Sequence, residues 1–129
     1  MKRILVVDDE AVLAETVRLF LDKKRYRTVS CHSAAEAKRL IEILCPDVVI
    51  SDLVMPEMDG LELLNWIREQ GYPCAFVLMS VKTSVFLPLA RAKFKPDACL
   101  SKPFTALELR KAIESAVSLS GRRREVEHV

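Results

Sequence analysis

The sequence predicts an α/β fold, a doubly wound five-stranded parallel sheet with five helices. Three observations predict it. Short apolar runs recur at Ile4-Leu5-Val6-Val7, Val48-Val49-Ile50, Ala75 to Met79 and Ala98-Cys99-Leu100. Runs this short and largely β-branched read as strands buried on both faces. Between them lie stretches with the spacing of amphipathic helices, joined by short connections. Strict alternation of that kind implies parallel strands with helices on both sides.

After the first strand, Leu13, Val17, Phe20 and Leu21 fall on one face of a helix, which Lys23-Lys24-Arg25 closes with charge favourable at a C-terminus. A second strand is expected near Arg27 to Cys31. Ser33 and Glu36 then form a capping-box pattern ahead of Ala37, Leu40, Ile41 and Leu44, and Pro46 ends that helix. The third strand reaches Asp52. A loop with Pro56 and Gly60 leads to a helix whose inner face is Leu61, Leu64 and Ile67, with Gly71 as its stop. The fourth strand ends at Ser80. A fourth helix lies somewhere between Thr83 and Phe94, with Pro88 in its first turn because proline disrupts a helix interior. After the fifth strand, Thr105 caps a helix that packs Leu109, Ala112, Ile113 and Ala116 inward. A domain at 1–120 and a basic tail or linker stub at 121–129 follow, with too few residues left for an output domain.

Half of the 129 residues are hydrophobic and 29% are charged, the balance of a globular domain with a real core. A formal charge of +2 does not argue for nucleic acid, and Arg122-Arg123-Arg124 reads as a solvated tail. Cys31, Cys45, Cys74 and Cys99 show no CxxC spacing, and neither His32 nor His128 completes a zinc pattern, so buried free thiols are expected. No signal peptide is evident and no run approaches a membrane span, which predicts a cytoplasmic protein with no membrane partner.

Chemistry gathers at the strand ends. In open α/β sheets ligands bind outside the carboxyl ends of the strands. Here those ends carry Asp8-Asp9, Asp52, Ser80 and Lys102. They converge if the first strand lies beside the third, as in the flavodoxin-like order 2-1-3-4-5. Adjacent carboxylates repel unless a cation sits among them, and a hard divalent ion such as Mg²⁺ reverses that logic. Lys102 adds a mobile point charge for a phosphoryl oxygen, and Ser80 a hydroxyl donor. An aspartate in such surroundings can act as a nucleophile toward phosphorus. Taken singly, the acidic pair reads more readily as a turn or helix cap, Ser80 as a turn residue and Lys102 as a surface lysine. Their joint occurrence at successive strand ends carries the reading.

Three stretches, Ile4-Leu-Val-Val-Asp-Asp-Glu10, Asp52-Leu-Val-Met-Pro-Glu-Met-Asp-Gly60 and Leu100-Ser-Lys-Pro-Phe104, occur in the order and spacing of one family. Over roughly Lys2 to Ser120 the chain resembles a two-component response-regulator receiver domain of the chemotaxis-regulator-like kind. The resemblance implies Asp52 as phosphoacceptor and Asp8 and Asp9 as the acidic pair. It makes Asp9, Asp52 and the carbonyl of Val54 the direct Mg²⁺ ligands, Ser80 the switch hydroxyl and Lys102 the phosphoryl contact. Pro103 falls where the family commonly has a cis peptide. A sensor histidine kinase or phosphotransfer protein is the implied phosphodonor, with a downstream protein target, a possible phosphorylation-dependent homodimer and no nucleic acid partner for this chain. Such a module is a signalling switch that only phosphorylates and dephosphorylates itself.

The chain departs from the family at several positions. Cys99 stands where a Tyr or Phe is usual three residues before the lysine, and Val81 where a small residue is usual beside the hydroxyl. Lys95-Pro96 replaces the usual Gly-Ala ahead of the fifth strand. Val54 and Lys82 occupy positions that flank the path of hydrolytic water, and Val54 and Val81 together motivate a long-lived phosphoryl group. The runner-up reading is a receiver-like interaction module whose output is independent of phosphate. A phosphatase of the haloacid dehalogenase type is disfavoured, because Val54 stands where that class needs a second aspartate. Three glycines cannot build a GxGxxG or a P-loop.

Overall fold

The computed structural model describes residues 1–81 and 86–127. Ten elements alternate along the chain. They are β1 (Lys2–Val7), α1 (Ala11–Phe20), β2 (Tyr26–Cys31), α2 (Ala34–Leu44), β3 (Val48–Asp52), α3 (Gly60–Glu69), β4 (Ala75–Val81), α4 (Phe86–Arg91), β5 (Ala98–Lys102) and α5 (Ala106–Glu127). The five strands form one parallel sheet in the order β2-β1-β3-β4-β5, as expected.

Alternation along each strand divides the interior into two cores. Ile4, Val6, Val48, Ile50, Val77 and Met79 face α1 and α5, where Val17, Leu109, Ile113 and Ala116 meet them. Leu5, Val7, Val49, Phe76 and Leu78 face α2 and α3, against Ala37, Ile41, Leu63, Leu64 and Ile67. Burial on both faces explains why the strands read as unbroken apolar runs.

Local chemistry sets the element ends, in places differently from the expectation. α1 stops at Phe20, before the Lys23-Lys24-Arg25 cluster, because Asp22 builds a turn there. Its carboxylate accepts the Lys24 N–H at 2.9 Å and its carbonyl accepts the Tyr26 N–H at 2.9 Å. β2 accordingly starts one residue earlier than expected, at Tyr26. The Ser33 hydroxyl caps α2 through the Glu36 N–H at 3.2 Å. That helix ends on Cys45 in the left-handed region, just before Pro46. Asp59 and Glu62 form a reciprocal capping box on α3, and Gly71 stops it at φ 83°. The inner face of α3 is Leu63, Leu64 and Ile67: Leu64 and Ile67 are buried as expected, and Leu63 takes the place of the half-buried Leu61. Trp66 is half-buried, under the Lys38 ammonium at 5.3 Å. Pro88 is the third residue of α4, within its first turn, while Lys82 to Val85 lie outside the described residues.

Thr105 and Glu108 cap α5 reciprocally, at 3.1 and 3.2 Å. α5 then runs on to Glu127, where the sequence suggested a frayed tail from Gly121. The arginines and glutamate that follow favour helix, against a cost of about 1 kcal/mol for Gly121 itself. The four cysteines are free. Cys31 and Cys74 are buried as expected, whereas Cys45 and Cys99 are exposed. Among the described residues no helix is long and apolar enough to cross a membrane.

An unanticipated buried cluster ties the lower ends of β4 and β5 to α3. Arg68 pairs with Asp97 at 3.1 Å, both side chains almost fully buried. The Asp97 carboxylate also accepts the Phe76 N–H at 2.9 Å, and Arg68 donates to the carbonyls of Tyr72 and Cys74.

Candidate functional site

The order β2-β1-β3-β4-β5 sets the ends of β1 and β3 side by side, with β4 and β5 next in line. Asp8 follows β1 and is fully buried, while Asp9 is exposed beside it. Asp52 closes β3 and is 7% exposed. Carboxylate oxygens of the three lie within 4.8 Å of one another. Lys102, the last residue of β5, reaches back over the sheet edge. Its ammonium lies 3.0 Å from Asp52 Oδ1 and 3.5 Å from Asp8 Oδ2. Ser80, buried near the end of β4, stands one residue beyond Met79, the register partner of Asp52. The predicted side chains thus gather at one edge. The Lys102–Pro103 peptide is cis.

Burial pushes the Asp8 carboxyl above its ordinary value, and the charge of Asp52 adds to that push. The Glu10 N–H, which donates to Asp8 Oδ1 at 2.9 Å, and the Lys102 ammonium pull the other way and do not win. Three carboxylates here face a single ammonium, so the cluster is short of positive charge by count. Three carboxylates of hard oxygen, one of them destabilised as an anion by its burial, suit a divalent cation. Asp8, Asp9 and Asp52 lie close enough together to hold a metal ion between them.

Sequence reasoning missed two supporting residues. His32, the residue after β2, lies with Nδ1 3.1 Å from the Asp8 carbonyl oxygen. The signal was topological, since β2 pairs with β1 along its length and so delivers its next residue to the same edge. Gly60 is the other. Its N–H donates to the Leu53 carbonyl at 2.8 Å, and a Cβ built on it would meet the Asp52 carbonyl oxygen at 2.4 Å. Only glycine lets α3 start so close beneath the end of β3.

Two apolar side chains stand at the margins of this edge. Val54, in the loop after β3, is 67% exposed, and Val81, at the end of β4, is 57% exposed. Met55, buried, and Met58, half-buried, pack from this loop against the α2–α3 core. Lys82 lies outside the described residues. Cys99 sits on β5 with its side chain exposed.

Residues 4–114 match the family model of the response regulator receiver domain. The response regulator MprA of Mycobacterium ulcerans (strain Agy99) is 34% identical over 107 residues, which cover 83% of this chain and 46% of that protein. The alkaline phosphatase synthesis transcriptional regulatory protein PhoP of Bacillus subtilis (strain 168) is 26% identical over 119 residues, covering 92% of this chain and 50% of its own. The chain thus spans about half the length of these curated relatives. Among solved structures, a response regulator receiver domain protein from Clostridium thermocellum superposes with a TM-score of 0.83 at 26% identity, covering 98% and 99% of the two chains. NtrX from Brucella abortus superposes with a TM-score of 0.86 at 28% identity over 98% of this chain and 29% of that one.

Proposed function

The chain belongs to the response regulator receiver domain family, and on that premise we propose that it is a Mg²⁺-dependent phosphoacceptor, modified on Asp52, that switches a protein interaction. The observation that carries the reading is the Lys102 ammonium 3.0 Å from an Asp52 carboxylate held within 4.8 Å of Asp8 and Asp9.

In this reading a carboxylate oxygen of Asp52 attacks the phosphorus of the donor. A P–O bond forms to Asp52 as the donor's bond to phosphorus breaks, and its electron pair leaves with the donor group. The proposed donor is a phosphohistidine on a sensor kinase or phosphotransfer protein, with acetyl phosphate as a small-molecule substitute. Lys102 exchanges its contact with the bare carboxylate for one with a phosphoryl oxygen, so its charge stays compensated. Ser80 supplies a hydroxyl donor toward the same group. Asp8, Asp9, Asp52 and the carbonyl of Val54 would hold Mg²⁺, which when bound neutralises negative charge on the transferring group. The proposed setting is cytoplasmic. Its partners are the phosphodonor and a downstream protein, with a phosphorylation-dependent homodimer as one form the output can take.

Exposed Cys99 on β5 favours a second reading, a receiver-like interaction module whose output ignores phosphate, because the ring expected at that position is missing. Intact-protein mass after incubation with acetyl phosphate or phosphoramidate separates the two. A gain of one phosphoryl group with Mg²⁺, lost in EDTA and in Asp52→Asn, is the expected result. Equal labelling of Asp52→Asn would place the acceptor elsewhere. No adduct under any condition, with a cognate kinase failing as well, would favour the interaction module.

A further inference from the structure

The edge of the sheet opposite the carboxylates carries the reverse charge. Because the strands are parallel, Lys2 at the start of β1, Arg27 near the start of β2 and the turn Lys23-Lys24-Arg25 all lie there, separated from the acidic edge by the strand length, about 20 Å. All five cations are exposed, and none makes an ion pair among the described residues. Asp22, the carboxylate of that turn, is held by the Lys24 N–H.

Two cavities open among these cations, one on either side of Tyr26, which lines both. The first, about 320 Å³, lies against α5. Ile113, Val117 and Tyr26 give it apolar walls, and Lys2 and Arg25 stand at its margin with Glu114. The second, about 390 Å³, lies against α1. It is lined by Leu19, Leu21 and Tyr26, with Lys23, Arg27 and the Arg18–Glu15 pair around it. Leu19 is 72% exposed, far more than α1 needs for its own packing.

A phosphodiester backbone would use the cations and leave the apolar walls without a role. An anionic bilayer would need a broad projecting apolar face, and here only Met1 and Leu19 project among the cations. Cations around one mainly apolar recess and a second, mixed one with Leu19 and Leu21 in its wall match a partner whose acidic side chains alternate with apolar anchors. We infer that this edge is a docking surface for an acidic protein segment that seats apolar side chains on both sides of Tyr26. Its occupant would bind independently of the carboxylate edge.

The test uses the whole chain and a fluorescein-labelled octapeptide, Glu-Glu-Leu-Glu-Asp-Leu-Glu-Glu, followed by anisotropy at about 50 mM salt, where surface charge is weakly screened. The expected result is saturable binding, weakened about tenfold in Lys24→Glu/Arg25→Glu. Arg39→Glu, an exposed cation on α2, should leave it within twofold. Ser118→Trp and Thr28→Trp, which fill the two cavities from their margins, should each weaken it severalfold while melting as the parent does. Replacing both leucines of the peptide by serine should do the same. Absence of saturable binding, equal binding of the serine peptide, or parental affinity in Lys24→Glu/Arg25→Glu would overturn the inference. Binding of a 20-base-pair duplex or of phosphatidylglycerol vesicles at least as tightly as the peptide would also overturn it.

Discussion

Gly60→Ala should damage this protein, and Gly121→Ala should improve it. At Gly60 the new Cβ would lie 2.4 Å from the Asp52 carbonyl oxygen and 3.0 Å from Leu78 Cδ1. Non-bonded carbon and oxygen do not approach so closely, so more than about half an ångström must open. The Leu78 methyl is buried in the α2–α3 core, and the carbonyl belongs to β3, bonded between β1 and β4. Neither yields cheaply. Overpacking of this kind costs about 1–3 kcal/mol, and the rigidity of both neighbours argues for about 2 kcal/mol or more. For 129 residues the unfolding entropy near the midpoint is roughly 0.27 kcal/mol/K, so Tm should fall by about 7 °C. Nothing lies within 4 Å of a Cβ at Gly121, which sits inside α5. There the exchange removes a helix penalty of up to about 1 kcal/mol and should raise Tm by about 2–3 °C. Circular dichroism melts of the three proteins side by side read both shifts. Phosphoryl uptake should fall in Gly60→Ala beyond the loss of stability, since the displaced carbonyl belongs to Asp52 itself. A Gly60→Ala midpoint within about 2 °C of the parent would refute the packing argument.

Arg68→Ala leaves Asp97 buried without its guanidinium and should cost about 3–5 kcal/mol, read from urea midpoints; a loss under about 1 kcal/mol would mean that solvent replaces the pair easily. The raised Asp8 carboxyl gives a prediction with a definite sign. Between its ordinary value of 3.8 and its raised one, the folded state holds more protons than the unfolded, so stability falls as pH rises through that window. Above the window ionised Asp8 is a net cost, and Asp8→Asn should melt above the parent at pH 7 in EDTA while losing the increment that Mg²⁺ gives. A lower melting point in EDTA would show that Lys102 and the Glu10 N–H outweigh burial. Val54→Asn, by offering a hydrogen bond to an attacking water, should speed phosphate loss from the phosphorylated protein; rapid loss from the parent, unchanged or slowed by the substitution, would end the case for a long-lived phosphoryl group.

The strands were legible because burial on both faces writes itself as unbroken apolar runs, and the site because every strand end in a parallel sheet points the same way. Strand order is not in the periodicity; it is implied by the convergence of Asp8, Asp52, Ser80 and Lys102, which needs β1 beside β3. The Arg68–Asp97 cluster left no trace, since its members lie 29 residues apart and each alone reads as a surface charge. The glycines show where local rules divide. Gly71, followed by Tyr72-Pro73, stops α3 in the left-handed region, whereas Gly121, followed by three arginines and a glutamate, is carried through α5. The same residue type takes its meaning from what comes after it. Asp59 and Glu62 form a full capping box, whereas Ser33 and Glu36, with the same spacing, make only the half in which the Ser33 hydroxyl accepts the Glu36 N–H.

The buried Arg68–Asp97 pair gives β4 and β5 a fixed foot. Asp97 holds the Phe76 N–H at the base of β4 and immediately precedes β5, so both strands are anchored where they begin. Ser80 and Lys102 are at the opposite ends, where Lys102 is held by ion pairs to Asp52 and Asp8 that a phosphoryl group would rearrange. A rod clamped at its base translates most at its tip. Over the roughly 13–17 Å from clamp to site, a tilt of about 4° at the foot carries Ser80 or Lys102 through about 1 Å. A small rearrangement at the carboxylate edge can thus be absorbed as a slight lean of two strands, leaving the packing at their base undisturbed.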